Sequence, residues 1–333
     1  MPDMSIFDGD NFSLQTLTAA INEQDVTPTR IAELGLFAEE SITTTSVTVE
    51  RREQAAELVM SAARGSTGGA SAGATRSILT FNAAHLPVTE TVLADSIQNV
   101  RAFGSTDELE TVQGVINRRL AVARARLDAT IEYHRLGAIK GQVLDADGAT
   151  VLNDIYTAFG ITRPTEVIQA GNANVNLRQD VVKAKRTMED GLKGQNYEKT
   201  IAFAGEAFMN AITDHKSTKE AYNRWQDGAM LRNDYRNNFG LAGVVFEEYR
   251  MNVGGTPFVA ADEAYMLPVG AFEMFKTCFA PADFEDTVNT PGLPYYAKQW
   301  QTDNSGKSRT LQAQSNPICL NLRPAAVVKL TLA

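Results

Sequence analysis

Few residues in this chain stand at spacings that do chemistry. Gly69-Ala70-Ser71-Ala72-Gly73 has the G-x-S-x-G form of a serine nucleophile elbow. That elbow needs an apolar strand directly before it and a helix directly after, so that the turn lifts the hydroxyl clear of the backbone. Here the flanks are Gly, Ser, Thr and Ala, so a cytoplasmic serine hydrolase using Ser71 is the weakest of the functions weighed. Asp145-Ala146-Asp147-Gly148 opens like a calcium loop. Such a loop also needs an oxygen ligand at position five, glycine at six and glutamate at twelve. Ala149, Thr150 and Tyr156 stand there instead, and a tight turn is the better reading. No phosphate-cradling G-x-x-x-x-G-K-[ST], dinucleotide G-x-G-x-x-G or zinc-binding H-E-x-x-H occurs. His85, His134 and His215 are scattered, and His134 is expected as a packing or surface residue. Cys278 and Cys319 lie in apolar runs and read as small buried hydrophobes rather than a disulfide or a metal site. No catalytic residue, cofactor or metal is expected.

What remains is charge that joins surfaces. Lys140 is the first lysine, and everything before it uses arginine alone. Arg51, Arg52, Arg64 and Arg76 are the candidates for bridging acids on a neighbouring molecule. Left in solvent, each such pair is worth under about 1 kcal/mol. Asp283-Phe284-Glu285-Asp286 reads as a solvated loop. The net charge of −9 argues against a sequence-specific DNA binder, which normally shows a basic footprint, but not against a protein that merely encloses nucleic acid. No apolar run has the length of a transmembrane helix, and Met1-Pro2-Asp3-Met4-Ser5 lacks a basic leader, so a soluble cytoplasmic product is expected.

The elements that must position these charges are more informative. Ser105-Thr106-Asp107-Glu108 fits a capping box. Leu109, Val112, Ile116, Leu120, Ala123, Leu127 and Ile131 follow at spacings of three and four, which predicts one long amphipathic helix. Arg118, Arg119, Arg124, Arg126 and Arg135 are expected on its solvent side or against a partner. Gly137 and Gly141 weaken and end it, and 142–152 reads as a hairpin turned by Asp147-Gly148. Before the helix, residues 41–104 look extended around a Gly/Ala/Ser tip at 64–73, with Val47 and Val49 alternating with polar residues. Each leg reaches roughly 70–80 Å when extended, well beyond a lobe whose radius of gyration is about 20 Å. Such an arm folds back on its own lobe or lies on a neighbour. Residues 165–275 alternate helices and strands as a compact α/β lobe. Residues 276–333 return to strand, expected to pair back with the earlier hairpin. The fold class is therefore α+β.

This order resembles the HK97-type capsid fold of tailed phages, specifically the lambda-like major capsid protein E family. Gln314-Ser315-Asn316-Pro317-Ile318-Cys319-Leu320 with Pro324, Val328 and Leu330 looks like that family's closing strands. Ile201-Ala202-Phe203-Ala204-Gly205 and Phe258 to Pro268 also look like family segments. The resemblance lies in order and spacing over nearly the whole chain. It implies an N-terminal arm (1–40), an extended E-loop hairpin (41–104), a peripheral domain carrying the long spine helix (105–164 with 276–333) and an α/β axial domain (165–275). It also implies pentamers and hexamers closing an icosahedral head around double-stranded DNA bound without sequence preference. The expected partners are further copies of the chain, a portal, and a protease and decoration protein where present, with no membrane. With about 40 residues before the E-loop, a separate scaffolding protein is expected. Some relatives lock the shell by an isopeptide bond from an E-loop lysine. Residues 41–104 contain none, so no such crosslink is expected. An encapsulin-type compartment of the same fold is the alternative.

Overall fold

The computed structural model describes residues 13–24, 29–53, 75–93, 95, 112–224, 236, 238–253, 256–302 and 307–333. The capping box at 105–108, the tip at 64–73 and the serine motif lie outside them. Helix α1 (Leu14–Glu23) starts where the Ser13 hydroxyl accepts the Thr16 N–H, and it buries Leu17 and Ile21, one turn apart. A short helix α2 (Arg30–Glu33) follows. Strands β1 (Ala38–Ser41), β2 (Ser46–Glu53), β3 (Thr75–Asn82) and β4 (Leu86–Leu93) come next. β2 and β3 pair antiparallel from Ser46 opposite Asn82 to Glu53 opposite Thr75, a ribbon of its own.

Helix α3 (Val112–Lys140) has 29 residues, about 43 Å at 1.5 Å per residue. Its stripe of Ile116, Leu120, Ala123, Leu127 and Ile131 is buried as the spacing predicts. The helix ends at Gly141, whose φ is +90° and where a Cβ would stand 1.9 Å from the Tyr156 ring, so only glycine fits. β5 (Gln142–Leu144) and β6 (Val151–Asp154) form the hairpin, and α4 (Ile155–Phe159) is capped by the Asp154 side chain.

The second half contributes β7 (Thr165–Ile168), α5 (Leu177–Leu192), β8 (Lys199–Ala204), α6 (Glu206–Asp214), α7 (Lys216–Arg224), β9 (Phe239–Leu241), β10 (Val244–Glu248), β11 (Asn252–Val253), β12 (Thr256–Pro257) and β13 (Glu263–Val269). The strands that follow are β14 (Phe275–Phe279), β15 (Tyr296–Gln301), β16 (Ser308–Ser315), β17 (Pro317–Asn321) and β18 (Val328–Leu332). A six-stranded sheet runs β7-β18-β13-β8-β10-β9. Both of its faces are buried, which is why β8 and β13 are apolar without alternation. Ile201, Phe203, Tyr265 and Leu267 enter a central core shared with the end of α3. Ala202, Ala204, Ala264 and Met266 face a second core with α5 and α6. Successive side chains along each strand thus weld two cores through one sheet.

The expected pairing of the C-terminal strands with the hairpin is not what forms. Among the described residues β5 and β6 pair only with each other, while β15 and β16 make a sheet with β4, and β17 makes one with β14 and β1. β18 enters the six-stranded sheet, parallel to β7 and antiparallel to β13. The hairpin is three and four residues long with a register shift at Val143/Leu144. The eight-residue β4 offers a longer ladder to the eight-residue β16.

Candidate functional site

Helix α3 carries a second stripe beside its apolar one. Arg124, Asp128, Glu132 and Arg135 follow at spacings of four, four and three, and all are buried. Arg124 and Arg135 were expected toward solvent or a partner, and the structure corrects this; Arg118 and Arg126 are exposed. The cause is a set of backbone groups that need partners. The α1 C-terminus leaves carbonyls open, and the Arg124 guanidinium donates to Ile21 O and Asn22 O. It lies 4.2 Å from the Tyr295 ring centroid and 3.6 Å from Asp128, whose carboxyl accepts the Tyr295 hydroxyl. Thr18 on α1 bonds both backbone groups of Ala297, so α1 rides on β15 as well.

Helix α2 has no side-chain cap of its own at Thr29. Glu132 supplies one from α3: its Oε1 accepts the Ile31 N–H at 2.8 Å and the Tyr249 hydroxyl at 2.7 Å. Burial and the Glu132 carboxyl push the Tyr249 phenol well above its ordinary range. Arg30 forks onto Glu247 of β10. Arg135 donates to Glu39 of β1 at 2.7 Å and to Thr277 of β14 at 3.2 Å. One helix therefore ties the N-terminal segment to the β1-β14-β17 sheet and, through α2, to β10. The sign order plus, minus, minus, plus at helical spacing next to an apolar stripe was the signal in the sequence. A charged helix face is ordinarily solvated, and this one turns inward because α1 and α2 bring open backbone groups to it.

The β2–β3 ribbon is rooted at its base. Phe81 is 3% exposed and stacks on Phe159 at 6.4 Å, and Val47, Val49 and Leu79 lean on the central core. Further out, Ile78 is 69% exposed. Arg51 stands opposite Ser77, and Arg52 opposite Arg76, at the far end of the ladder. Three of the four candidate arginines are thus gathered at one end of one ribbon, and Arg64 lies outside the described residues. Glu90 of β4 pairs with Arg119 at 3.3 Å and Arg126 at 3.6 Å, bracing the strand after the ribbon against α3.

Asp147, His85 and His215 are engaged in hydrogen bonds. Asp147 accepts the Ala149 and Thr150 N–H groups and the Thr150 hydroxyl, closing the turn with Gly148 at φ +69°. His85 bonds Asn316, and His215 bridges Ser217 and the Asn172 carbonyl. His134 is 1% exposed, and burial holds its pKa down at about 4. Cys278 and Cys319 are free and buried, with burial pushing Cys319 up to about 12. Among the described residues no group of three His, Cys, Asp or Glu side chains is placed to hold a metal, and no helix is long and apolar enough to cross a membrane.

Comparisons with known proteins converge. The family model described as phage major capsid protein E matches residues 13–332. The major capsid protein of Pseudomonas phage KPP10 is 28% identical over 319 residues, covering 89% of this chain and 90% of that one. The major capsid protein of Salmonella phage Felix O1 is 27% identical over 256 residues, covering 72% and 69%. Among solved structures, the capsid of Myoviridae phage XM1 superimposes with a TM-score of 0.52 at 12% identity, over 93% of this chain and 94% of that one.

Proposed function

The chain belongs to the phage major capsid protein E family, and from that premise we propose how it builds a shell. It is a phage major capsid protein, a structural subunit of the virion that assembles with its own copies, and not an enzyme. In our reading the copies close as pentamers and hexamers into an icosahedral head around double-stranded DNA. Residues 165–275, completed by β18, form the axial lobe. Residues 105–164 with the rest of 276–333 form the peripheral lobe. Within 41–104 the β2–β3 ribbon reaches across to a neighbour while β4 stays on its own chain, and 1–40 form the arm. Assembly takes place in the host cytoplasm with a scaffolding protein and a portal, and a protease and decoration protein join where the phage encodes them.

The β2–β3 ribbon is the observation that carries this reading. Among the described residues it joins no larger sheet, and a two-stranded ribbon is at best marginal on its own. Its open edges offer backbone groups for strand addition by another chain. Negative-stain microscopy of the chain co-expressed with its genomic neighbours tests the reading. Closed isometric particles are expected; a monodisperse monomer under those conditions would overturn it.

A further inference from the structure

Where the end of α3 meets the six-stranded sheet lies a cavity of about 240 Å³. Lys140 from the last turn of α3, Arg163 just beyond α4 and Lys329 of β18 line it, against Glu263 of β13 as the single carboxylate. In a chain of net charge −9 this ratio is inverted. Glu263 is already committed: it accepts the Lys329 ammonium at 2.5 Å and the Tyr265 hydroxyl at 2.8 Å. The other two cations hydrogen-bond or face neutral groups, although Lys140 also feels the Glu263 carboxylate and Arg163 that of Asp154. Lys140 donates to the Phe258 carbonyl at 3.1 Å and faces the Tyr265 ring at 5.7 Å. Arg163 lies 5.1 Å from the Tyr156 ring centroid, and its Nε is buried with no hydrogen-bond partner. Carbonyls and rings orient a cation without cancelling its charge. Burial first, then the like charges of Arg163 and Lys329, hold the Lys140 ammonium below its ordinary range despite Glu263. Three cations against one committed carboxylate leave an excess of positive charge that an anion in the cavity would offset.

We propose that this cavity is an oxyanion site that takes a phosphate group, received by Arg163 and Lys140 with Lys329 as the third cation. A guanidinium presents a donor fork matched to phosphate oxygens, and an ammonium adds a point charge. Water occupies roughly 30 Å³ per molecule, so the cavity holds a phosphate with several waters. The phosphate comes either as the free ion or as a backbone group of a polynucleotide. The proposal stands on the cavity alone and does not depend on how copies of the chain close a shell.

Calorimetric titration of the purified full chain with inorganic phosphate, against chloride at matched ionic strength, tests it directly. The wild type is expected to bind phosphate and unfold at higher temperature in its presence. Arg163→Gln and Lys140→Met are each expected to weaken phosphate binding about tenfold or more. Adding a short DNA duplex separates the sources. Loss of duplex binding in Arg163→Gln alongside phosphate binding assigns the site to the nucleic-acid backbone. Duplex binding unchanged while phosphate binding falls assigns it to the free ion. A wild type that does not distinguish phosphate from chloride overturns the proposal without recourse to variants. So does wild-type-like phosphate binding in both variants. If phosphate is ignored but Arg163→Gln impairs shell formation, the proposal is again overturned and the cations belong to a contact between copies.

Discussion

Glu132 shows how a single side chain works at the residue scale. Its carboxyl replaces a missing cap on a helix about a hundred residues away in sequence and receives a phenol from a third element. Glu132→Ala strands a buried N–H and a buried hydroxyl, and is expected to cost about 3 kcal/mol; Glu132→Gln keeps an acceptor and costs about 1 kcal/mol. Chemical denaturation of the unassembled chain checks both, and equal midpoints for the two variants would dismiss the capping role. His134 gives a pH dependence. Its folded pKa of about 4 lies below the ordinary imidazole value of about 6.5, so the unfolded chain binds a proton that the folded chain refuses. Stability is full above about pH 6.5 and declines as pH falls toward 4, by roughly 3 kcal/mol across the window. His134→Gln is expected to flatten that slope in thermal melts of the unassembled protein between about pH 7 and about pH 4. The turn at Asp147 and the burial of the two thiols were legible from residue type alone. The burial of Arg124 and Arg135 was not, because it answers to open backbone groups on elements distant in sequence.

At the scale of elements, what could be read depended on local periodicity. The long helix, its glycine stop, β8 and β13 announce themselves by spacing or by a continuous apolar run. Phe275-Lys276-Thr277-Cys278-Phe279 did not stand out, although β14 is the middle strand of its sheet. Its identity comes from partners at 38–41 and 317–321, which no window of sequence contains. The same holds for β4, whose partner is β16 rather than the ribbon it follows. The ribbon carries the prediction that belongs here. Arg64→Ala and Arg76→Ala are expected to leave the folding of the free subunit unchanged while lowering the temperature at which particles release their contents. Each contact contributes about 1 kcal/mol or less, but it is repeated at every copy. Particle stability equal to wild type would remove these arginines from the contact.

For the whole molecule, the absence of lysine from residues 41–104 has a direct readout. Mature particles boiled in detergent are expected to run as a single chain on denaturing electrophoresis; a ladder of covalent oligomers would show that the loop is locked by another route. In our proposal the shell is then held by burial, strand pairing and charge, and particle stability is expected to fall with rising salt to the extent that exposed pairs contribute.

The position of β18 has a consequence in time. It is an interior strand of the six-stranded sheet, between β7 and β13, yet the ribosome delivers it after both. At typical rates of synthesis, on the order of ten seconds or more separate β7 from the strand that must lie beside it. Until then β7 has no strand beside it, the sheet ends at β13, and both cores lack the residues that 326–330 bring to them. Nascent chains therefore cannot present a finished surface to finished neighbours. A product cut short before Val328 by a premature stop lacks an inner strand rather than an edge, and so fails as a whole subunit instead of entering a particle as a defective one.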